Sequence, residues 1–435
     1  MCFNDGMKIN AITSQNSFKG YDARPLRGFL MSYDTMGIAK EMYEIGKREG
    51  FKIFSSMELS GNYFCGSMLP KYKRDTAGLW AQDFWTIVND KLLTLEFTKA
   101  SSAIKGFLGL SYDFTQKVAK DTLTFKQINQ NMWDMFEEFK DKAVLTEEEF
   151  MEKSLKFQKT QRSLMDKQQQ THISGGNVFI VRGDNGDELL IGEKELEKFS
   201  EEEIKSMYCV DKITVLPQMD FHLDLFVRPL DKKRVLLADD KLTYKILYEG
   251  FERLFKHIQT VPASERAEWK KPFVDFGSKV SSFKDIIKSN NKPMADEVAQ
   301  VLEENGFEVI RVPGRIYETL EDNDDGVILK HFCNYINANV LKNRNDEIVY
   351  ITNKSNIDEM LGLTPDISRA INFSFEQEFI DSILPYVKKD KIYFIKGENN
   401  FVANEMLSSY QGGIHCACSE IPFSSSDANC VKKKH

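Results

Sequence analysis

The chain has 435 residues, 42% of them hydrophobic and 29% charged, and a formal net charge of −8. This size and mix can bury a sizeable core and read as a soluble globular protein rather than a disordered one. The acidic balance sets aside bulk nucleic-acid or acidic-membrane binding, and no apolar run approaches the length of a membrane span. Seven irregularly spaced cysteines do not make a disulfide framework, and Met1–Gly6 lacks the charged and apolar regions of a signal peptide. The expectation is therefore a reducing, cytoplasmic setting.

The first element with clear periodicity runs from Ile38 to Ile45, with apolar Ile38, Met42 and Ile45 at helical spacing. Gly50-Phe51 then leads into a strand-like Lys52-Ile53-Phe54. The same order returns far downstream: Met294, Val298 and Val301 at helical spacing, Gly306-Phe307, then Glu308-Val309-Ile310. In both copies the glycine stands where a helix ends on a left-handed residue, which points to repeated αβ units. Between the copies, Asp121 to Gln170 is rich in Lys, Glu, Gln, Met and Phe and has no proline. It reads as a helical insertion with helices over Asn131–Lys142 and Glu147–Gln168, the second capped by Thr146.

Short strands follow. Val178–Arg182 and Glu188–Ile191 flank Asp184-Asn185-Gly186, a hairpin signal. Lys212–Leu216, Val235–Leu237, Ile348–Ile351 and Lys391–Ile395 continue the strand pattern, with a helix around Phe379, Ile383 and Val387. Ser281–Pro293 reads as a polar surface connection, and the tail after Ser424 as frayed.

Three places carry candidate chemistry. Asp83 lies between Trp80 and Trp85, whose rings would dry a site and stack on a planar cation. His222 and Asp224, two residues apart after a strand-like run, share one face of an extended segment. A histidine there is a proton shuttle near neutral pH, and an aspartate accepts two N–H bonds from a planar cation. Cys416 follows Gly412-Gly413-Ile414-His415 and is a presented thiol, useful as a nucleophile only when ionised. The ordinary role of each is plainer: a buried cysteine, a capped turn, a solvated aspartate. His415 reads as a bystander, because neighbours in a strand point to opposite faces. Cys418 shares a face with Cys416, but no second Cys/His pair stands at zinc spacing, so no metal is expected.

Together, Trp80-Ala81-Gln82-Asp83, Phe221-His222-Leu223-Asp224 and Gly412-Gly413-Ile414-His415-Cys416 resemble the guanidino-group-modifying superfamily. Its members include agmatine, arginine and peptidylarginine deiminases, dimethylarginine hydrolase and arginine:glycine amidinotransferases. Ser174-Gly175-Gly176-Asn177 is similar to the Gly-Gly-Asn/Asp element of that superfamily, and the resemblance spans about Trp80 to Pro422. It has no counterpart for the helical insertion.

The resemblance implies a single α/β catalytic domain over residues 1–435, a five-bladed pseudo-symmetric αβ propeller (pentein-like) with residues 121–170 inserted. It implies catalysis by Cys416, His222, Asp224 and Asp83 without a cofactor, and substrate contacts from Asp83, Asp224, Trp80 and Asn177. Asp83 and Asp224 would hold the guanidinium, Cys416 would attack its carbon, and His222 would move the protons. The partner is then a small-molecule or peptidyl guanidino compound, with hydrolysis to a ureido group the leading reaction. Amidino transfer to an amine and a catalytically silent binding homologue are the alternatives. Wording close to the peptidylarginine, agmatine and arginine groups occurs in different motifs, so the substrate stays open. Arg182, Arg228, Arg311 and Arg315 are ordinary surface or structural arginines at this level, each able in principle to meet a substrate carboxylate.

Overall fold

A computed structural model of the chain describes residues 26–31, 38–55, 85–88, 91–94, 111–112, 173, 175–183, 186–208, 210–289, 295–323, 326–343, 345–397 and 412–422. The expected helical insertion at 121–170, the frayed tail and the Trp80–Asp83 motif lie outside these residues.

The fold is mixed α/β and built from small sheets, with one three-stranded plan occurring five times among the described residues. In each copy the central strand is antiparallel to one neighbour and parallel to the other. Strands β1 (Leu26–Met31) and β2 (Lys52–Ser55), linked by helix α1 (Ile38–Glu49), form the first copy. Strands β3 (Trp85–Val88), β4 (Lys91–Thr94) and β5 (Ser111–Tyr112) form the second. The third contains β6 (Val178–Gly183), β7 (Gly186–Gly192), α2 (Glu201–Tyr208) and β8 (Lys212–Leu216).

The fourth contains β9 (Val227–Pro229) and β10 (Arg234–Ala238). Helices α3 (Asp240–Thr260), α4 (Arg266–Ser289) and α5 (Ala295–Glu304) then lead to its parallel strand β11 (Glu308–Val312). A long hairpin, β12 (Arg315–Asn323) and β13 (Gly326–Asn334), precedes the fifth copy. That copy comprises β14 (Asn339–Lys342), β15 (Ile348–Asn353), α6 (Ile357–Met360), α7 (Pro365–Ala370), α8 (Phe375–Ile383) and β16 (Ile392–Ile395). Last, β17 (Cys418–Pro422) pairs antiparallel with β1 and completes the first copy, so sequence-distant ends meet in one sheet.

The two helix–glycine–strand copies read from the sequence are both present. Ile38, Met42 and Ile45 are buried along α1, and Gly50 has φ +87°. Val298 and Leu302 are buried along α5, and Gly306 has φ +88°. In each, the residue after the glycine donates back five positions, Phe51 N to Gly46 O and Phe307 N to Leu302 O. That bond satisfies a terminal carbonyl and requires the left-handed residue before it. The Val178–Ile191 hairpin also forms, with Val178 opposite Ile191.

One expectation is corrected. Ser281–Ser289 is not a surface connection but the end of α4. Its Ser281-Ser282 step masks an apolar stripe of Phe276, Val280 and Phe283, all buried, continued by the partly buried Ile286 and Ile287. Burial of that stripe against α3 and the neighbouring sheet outweighs the weak helix preference of serine. The main core lies between these helices and the fourth and fifth sheets. A second core, with Phe29, Met42, Val349, Ile351 and Ile414, ties the first sheet to the fifth. No helix among the described residues is long and apolar enough to cross a membrane.

Candidate active site

Pro217 ends β8, since it has no N–H for a ladder. The chain that follows carries His222 and Asp224 into the interior. Asn177, just before β6, organises this loop: its Oδ1 accepts from Leu223 N at 3.0 Å and from Gln218 Nε2 at 3.1 Å. Its Nδ2 donates to Glu195 Oε1 at 2.8 Å. Gln218 Nε2 also reaches the Phe221 carbonyl at 3.0 Å. Asn177 therefore shapes the His222–Asp224 loop, and its amide faces protein groups rather than the substrate contact expected of it.

Gly176 makes room for the pair. A Cβ at that position would stand 2.4 Å from His222 Nδ1 and 3.1 Å from Asp224 Oδ1. The two side chains thus converge over one glycine, but not through the extended segment expected from their spacing. Leu223–Leu225 is a 3-10 turn with His222 as its extended N-terminal flank. Asp224 is fully buried, whereas His222 is half-buried.

The thiol enters from the other end of the chain. Residues 414–417 form a turn before β17, closed by Ala417 N to Gly413 O and Cys418 N to His415 O, both at 3.1 Å. Four asparagines from the β13–β15 region fasten this turn or its supports. Asn337 Oδ1 accepts from His415 N at 2.9 Å, and Asn353 Oδ1 accepts from Ile414 N at 3.1 Å. Asn339 Nδ2 donates to the Ile414 carbonyl at 3.2 Å. Asn334 Oδ1 in turn accepts from Asn337 N at 3.1 Å. Gly413 packs so closely that a Cβ there would lie 2.5 Å from Asn353 Nδ2 and 2.6 Å from Asn337 Oδ1.

The outcome is a shared carboxylate oxygen. Asp224 Oδ2 is 2.8 Å from His415 Nδ1 and 3.1 Å from Cys416 Sγ, which donates to it. The bystander reading of His415 is corrected here: it rested on strand geometry, whereas the backbone is a turn that brings neighbouring side chains to one group. Asn337 Nδ2 donates to the same sulfur at 3.2 Å. Cys416, His415, Asp224 and His222 form one contiguous, largely buried cluster, with Phe179 packed on the His415 ring at 5.3 Å.

Burial and the nearby charges set the protonation states. Burial first, then the Asp224 charge, push the Cys416 thiol well above its usual range, while the Gly413 backbone N–H and the Asn337 amide favour the thiolate. Burial also lowers His222 to about 4, against a weaker upward pull from Asp220. His415 is held well below its usual value by burial, the Arg228 cation and His222. The resting site thus pairs a protonated thiol with neutral imidazoles.

Behind the loop lies an ionic network. Asp220 Oδ2 meets Arg315 Nη1 at 3.1 Å and His331 Nε2 at 3.0 Å. Its Oδ1 accepts from Phe221 N at 2.8 Å. Arg315 reaches Asp240 through Nε and Nη2, and Tyr317 OH donates to the same carboxylate at 2.8 Å. Despite burial, His331 and Arg315 hold Asp220 below the usual carboxylate range. Arg315 is therefore structural, and Arg311 is likewise paired with Asp239 and Asp296.

Trp80 and Asp83, the expected second carboxylate motif, lie outside the described residues. Sequence reasoning missed Asn334, Asn337, Asn339 and Asn353. The signal for the first three was a cluster of asparagines within six residues, Asn334, Asn337 and Asn339, next to a strand, and Asn353 had none.

No family profile and no curated protein matches the chain. Among solved structures, C. jejuni agmatine deiminase aligns over 93% of this chain and 95% of its own, with 13% identity and a TM-score of 0.43.

Proposed function

We propose that this chain is a cysteine-dependent hydrolase of a guanidino group, releasing ammonia or an amine and leaving a ureido product. The observation that carries the reading is the convergence of Cys416 Sγ and His415 Nδ1 on Asp224 Oδ2, beside His222. A buried carboxylate with a thiol on the same oxygen suits a planar cation that presents N–H groups to one and an electrophilic carbon to the other. The five repeated sheets support the further proposal that they are blades of a propeller around this pocket.

The chemistry follows from the resting states. An arriving guanidinium takes over Asp224 as its acceptor, which frees the thiol, and its positive charge favours the thiolate. Neutral His222 accepts the thiol proton, and Cys416 Sγ attacks the guanidinium carbon. The resulting tetrahedral adduct collapses as His222 returns the proton to the departing nitrogen, leaving an S-linked thiouronium. His222, neutral again, deprotonates water. Hydroxide adds to the same carbon, and the C–S bond breaks to release the ureido product, with the proton restored to sulfur. Asn337 and the Gly413 N–H steady the sulfur whenever it is anionic. In this proposal Asp83 supplies a second carboxylate to the guanidinium, a role that rests on the sequence motif alone.

The test is a panel of arginine, agmatine, methylarginines and an arginine peptide, each with and without glycine, scored for ammonia, ureido product and transferred amidine. Hydrolysis by the wild type and its loss in a folded Cys416→Ala protein are expected. A wild type inert to every compound would refute the reading, and transfer to glycine without ammonia would replace it with an amidinotransferase.

A further inference from the structure

The contact between Cys416 and Asp224 joins two turns far apart in the chain, and one buried side chain bonds toward both. Asn334 is the last residue of β13 and is fully buried. Its Nδ2 donates to the Leu225 carbonyl at 2.9 Å, one residue beyond Asp224. Its Oδ1 accepts from Ile336 N at 3.0 Å and from Asn337 N at 3.1 Å. Asn337 in turn accepts from His415 N and donates to Cys416 Sγ. The nitrogen of one amide thus holds the Asp224 turn, and its oxygen holds the support of the Cys416 turn.

These partners fix the amide. Two are backbone N–H groups and one is a backbone carbonyl, and none can exchange roles, so a flipped amide would lose all three bonds. The nitrogen also faces His331 Nδ1 at 3.5 Å. That ring nitrogen must therefore accept, which puts the ring proton on Nε2, 3.0 Å from Asp220 Oδ2. Asp220 needs no charge from the ring, because Arg315 supplies one at 3.1 Å. The other Asp220 oxygen accepts from Phe221 N, directly before His222.

A bulge puts His331 and Asn334 side by side. Side chains three apart in a regular strand point to opposite faces. In β13 Cys333 lies opposite Ile316, but His331 lies opposite the next residue, Tyr317. Phe332 is therefore an extra residue, and it turns His331 onto the face of Asn334.

We propose that Asn334 is a positioning residue that sets the contact between Cys416 and Asp224, with His331 locked behind it as the Nε2–H tautomer. Its bearing on turnover rests on the guanidino reading above, whereas its bearing on the thiol does not.

The test is a double-mutant cycle read by iodoacetamide alkylation of Cys416, with peptide mapping to assign the site. Asp224→Asn alone should speed alkylation several-fold. In folded Asn334→Ala the same substitution should change the rate by less than about twofold, because the contact is already lost. In Asn339→Ala, which loosens the Cys416 turn without touching the Asp224 turn, the several-fold acceleration should persist. Nitrogen NMR of the histidine rings at neutral pH is the second measurement, with His331→Gln assigning the signals. It should show His331 protonated on Nε2 alone, and if Asn334→Ala does not fold this result decides. A full acceleration retained in Asn334→Ala overturns the proposal, as does its loss in Asn339→Ala to the same degree. No acceleration in Asp224→Asn itself, or a proton on His331 Nδ1, also overturns it. Neither measurement uses a guanidino compound, so a wild type inert to all of them refutes the hydrolase while the cycle still decides the role of Asn334.

Discussion

Cys416 and Asp224 are 192 residues apart in the chain and 3.1 Å apart in space, with the thiol donating to the carboxylate. This contact favours the protonated thiol. Burial raises the thiol and the Asp224 charge raises it further. A cation that takes the carboxylate as its own partner reverses the second effect. Under the proposed chemistry, the contact would couple binding of a cation at Asp224 to ionisation of Cys416.

Removing the charge should separate reactivity from catalysis. Asp224→Asn keeps the shape, replaces the acceptor with an amide and takes away one of the influences that raise the Cys416 thiol. Alkylation of Cys416 by iodoacetamide at pH 7–8 should become several-fold faster, while guanidino turnover falls by about 1,000-fold through loss of the cation's anchor. Peptide mapping assigns the alkylated cysteine. Slower alkylation in the variant would contradict the account of the resting thiol.

Gly176 should be intolerant of a single methyl group. A Cβ would stand 2.4 Å from His222 Nδ1, so Gly176→Ala must displace the imidazole or the backbone. The expected stability cost is about 1–3 kcal/mol, the usual range for overpacking. Turnover should fall by at least about tenfold through misplacement of His222. Chemical denaturation and steady-state kinetics on one preparation check both, and unchanged kinetics would place His222 outside the reaction.

Asn337 performs two tasks that can be read separately. Its amide donates to Cys416 Sγ and its carbonyl accepts from His415 N. Asn337→Ala should slow alkylation of Cys416 at fixed pH and cost about 1–3 kcal/mol for the unmade backbone bond. Asn339→Ala loses the bond to the Ile414 carbonyl and serves as the comparison, since it has no bond to Cys416. Equal alkylation rates in the two variants would remove Asn337 from the support of the thiolate.

Stability should depend on pH with a definite sign. His222 titrates at about 4 in the folded protein against an ordinary value of 6.5, and His415 is lowered in the same direction. Between those values the unfolded chain binds protons that the folded chain refuses. Stability therefore rises with pH across the window and is lost as pH falls through it. The urea midpoint should drop from pH 7 to pH 5, and His222→Gln should flatten that slope. A His222→Gln slope matching wild type would show that His222 is not held neutral.

The elements that rest on local rules were readable from the residues. Both helix–glycine–strand copies end on a left-handed glycine, Gly50 and Gly306, because a side chain there is sterically disfavoured. The Val178–Ile191 hairpin followed from two strand-like segments flanking an Asn-Gly step. The Ser281–Ser289 segment did not, since its serines hide the apolar stripe that packs α4 on the core.

The sequence by itself determined which residues are candidates for chemistry: a thiol after a Gly-Gly step and a His-x-Asp pair. Only the tertiary structure decided how they meet. It made His415 a partner of Asp224 rather than a bystander, and turned Asn177 toward Glu195, Gln218 and Leu223. It also brought Asn337, Asn339 and Asn353 under the Cys416 turn. The physical reason is the same in each case. Residue identity and spacing constrain the backbone over a few residues, whereas a hydrogen bond between positions 192 apart exists only when separate sheets close on a common core.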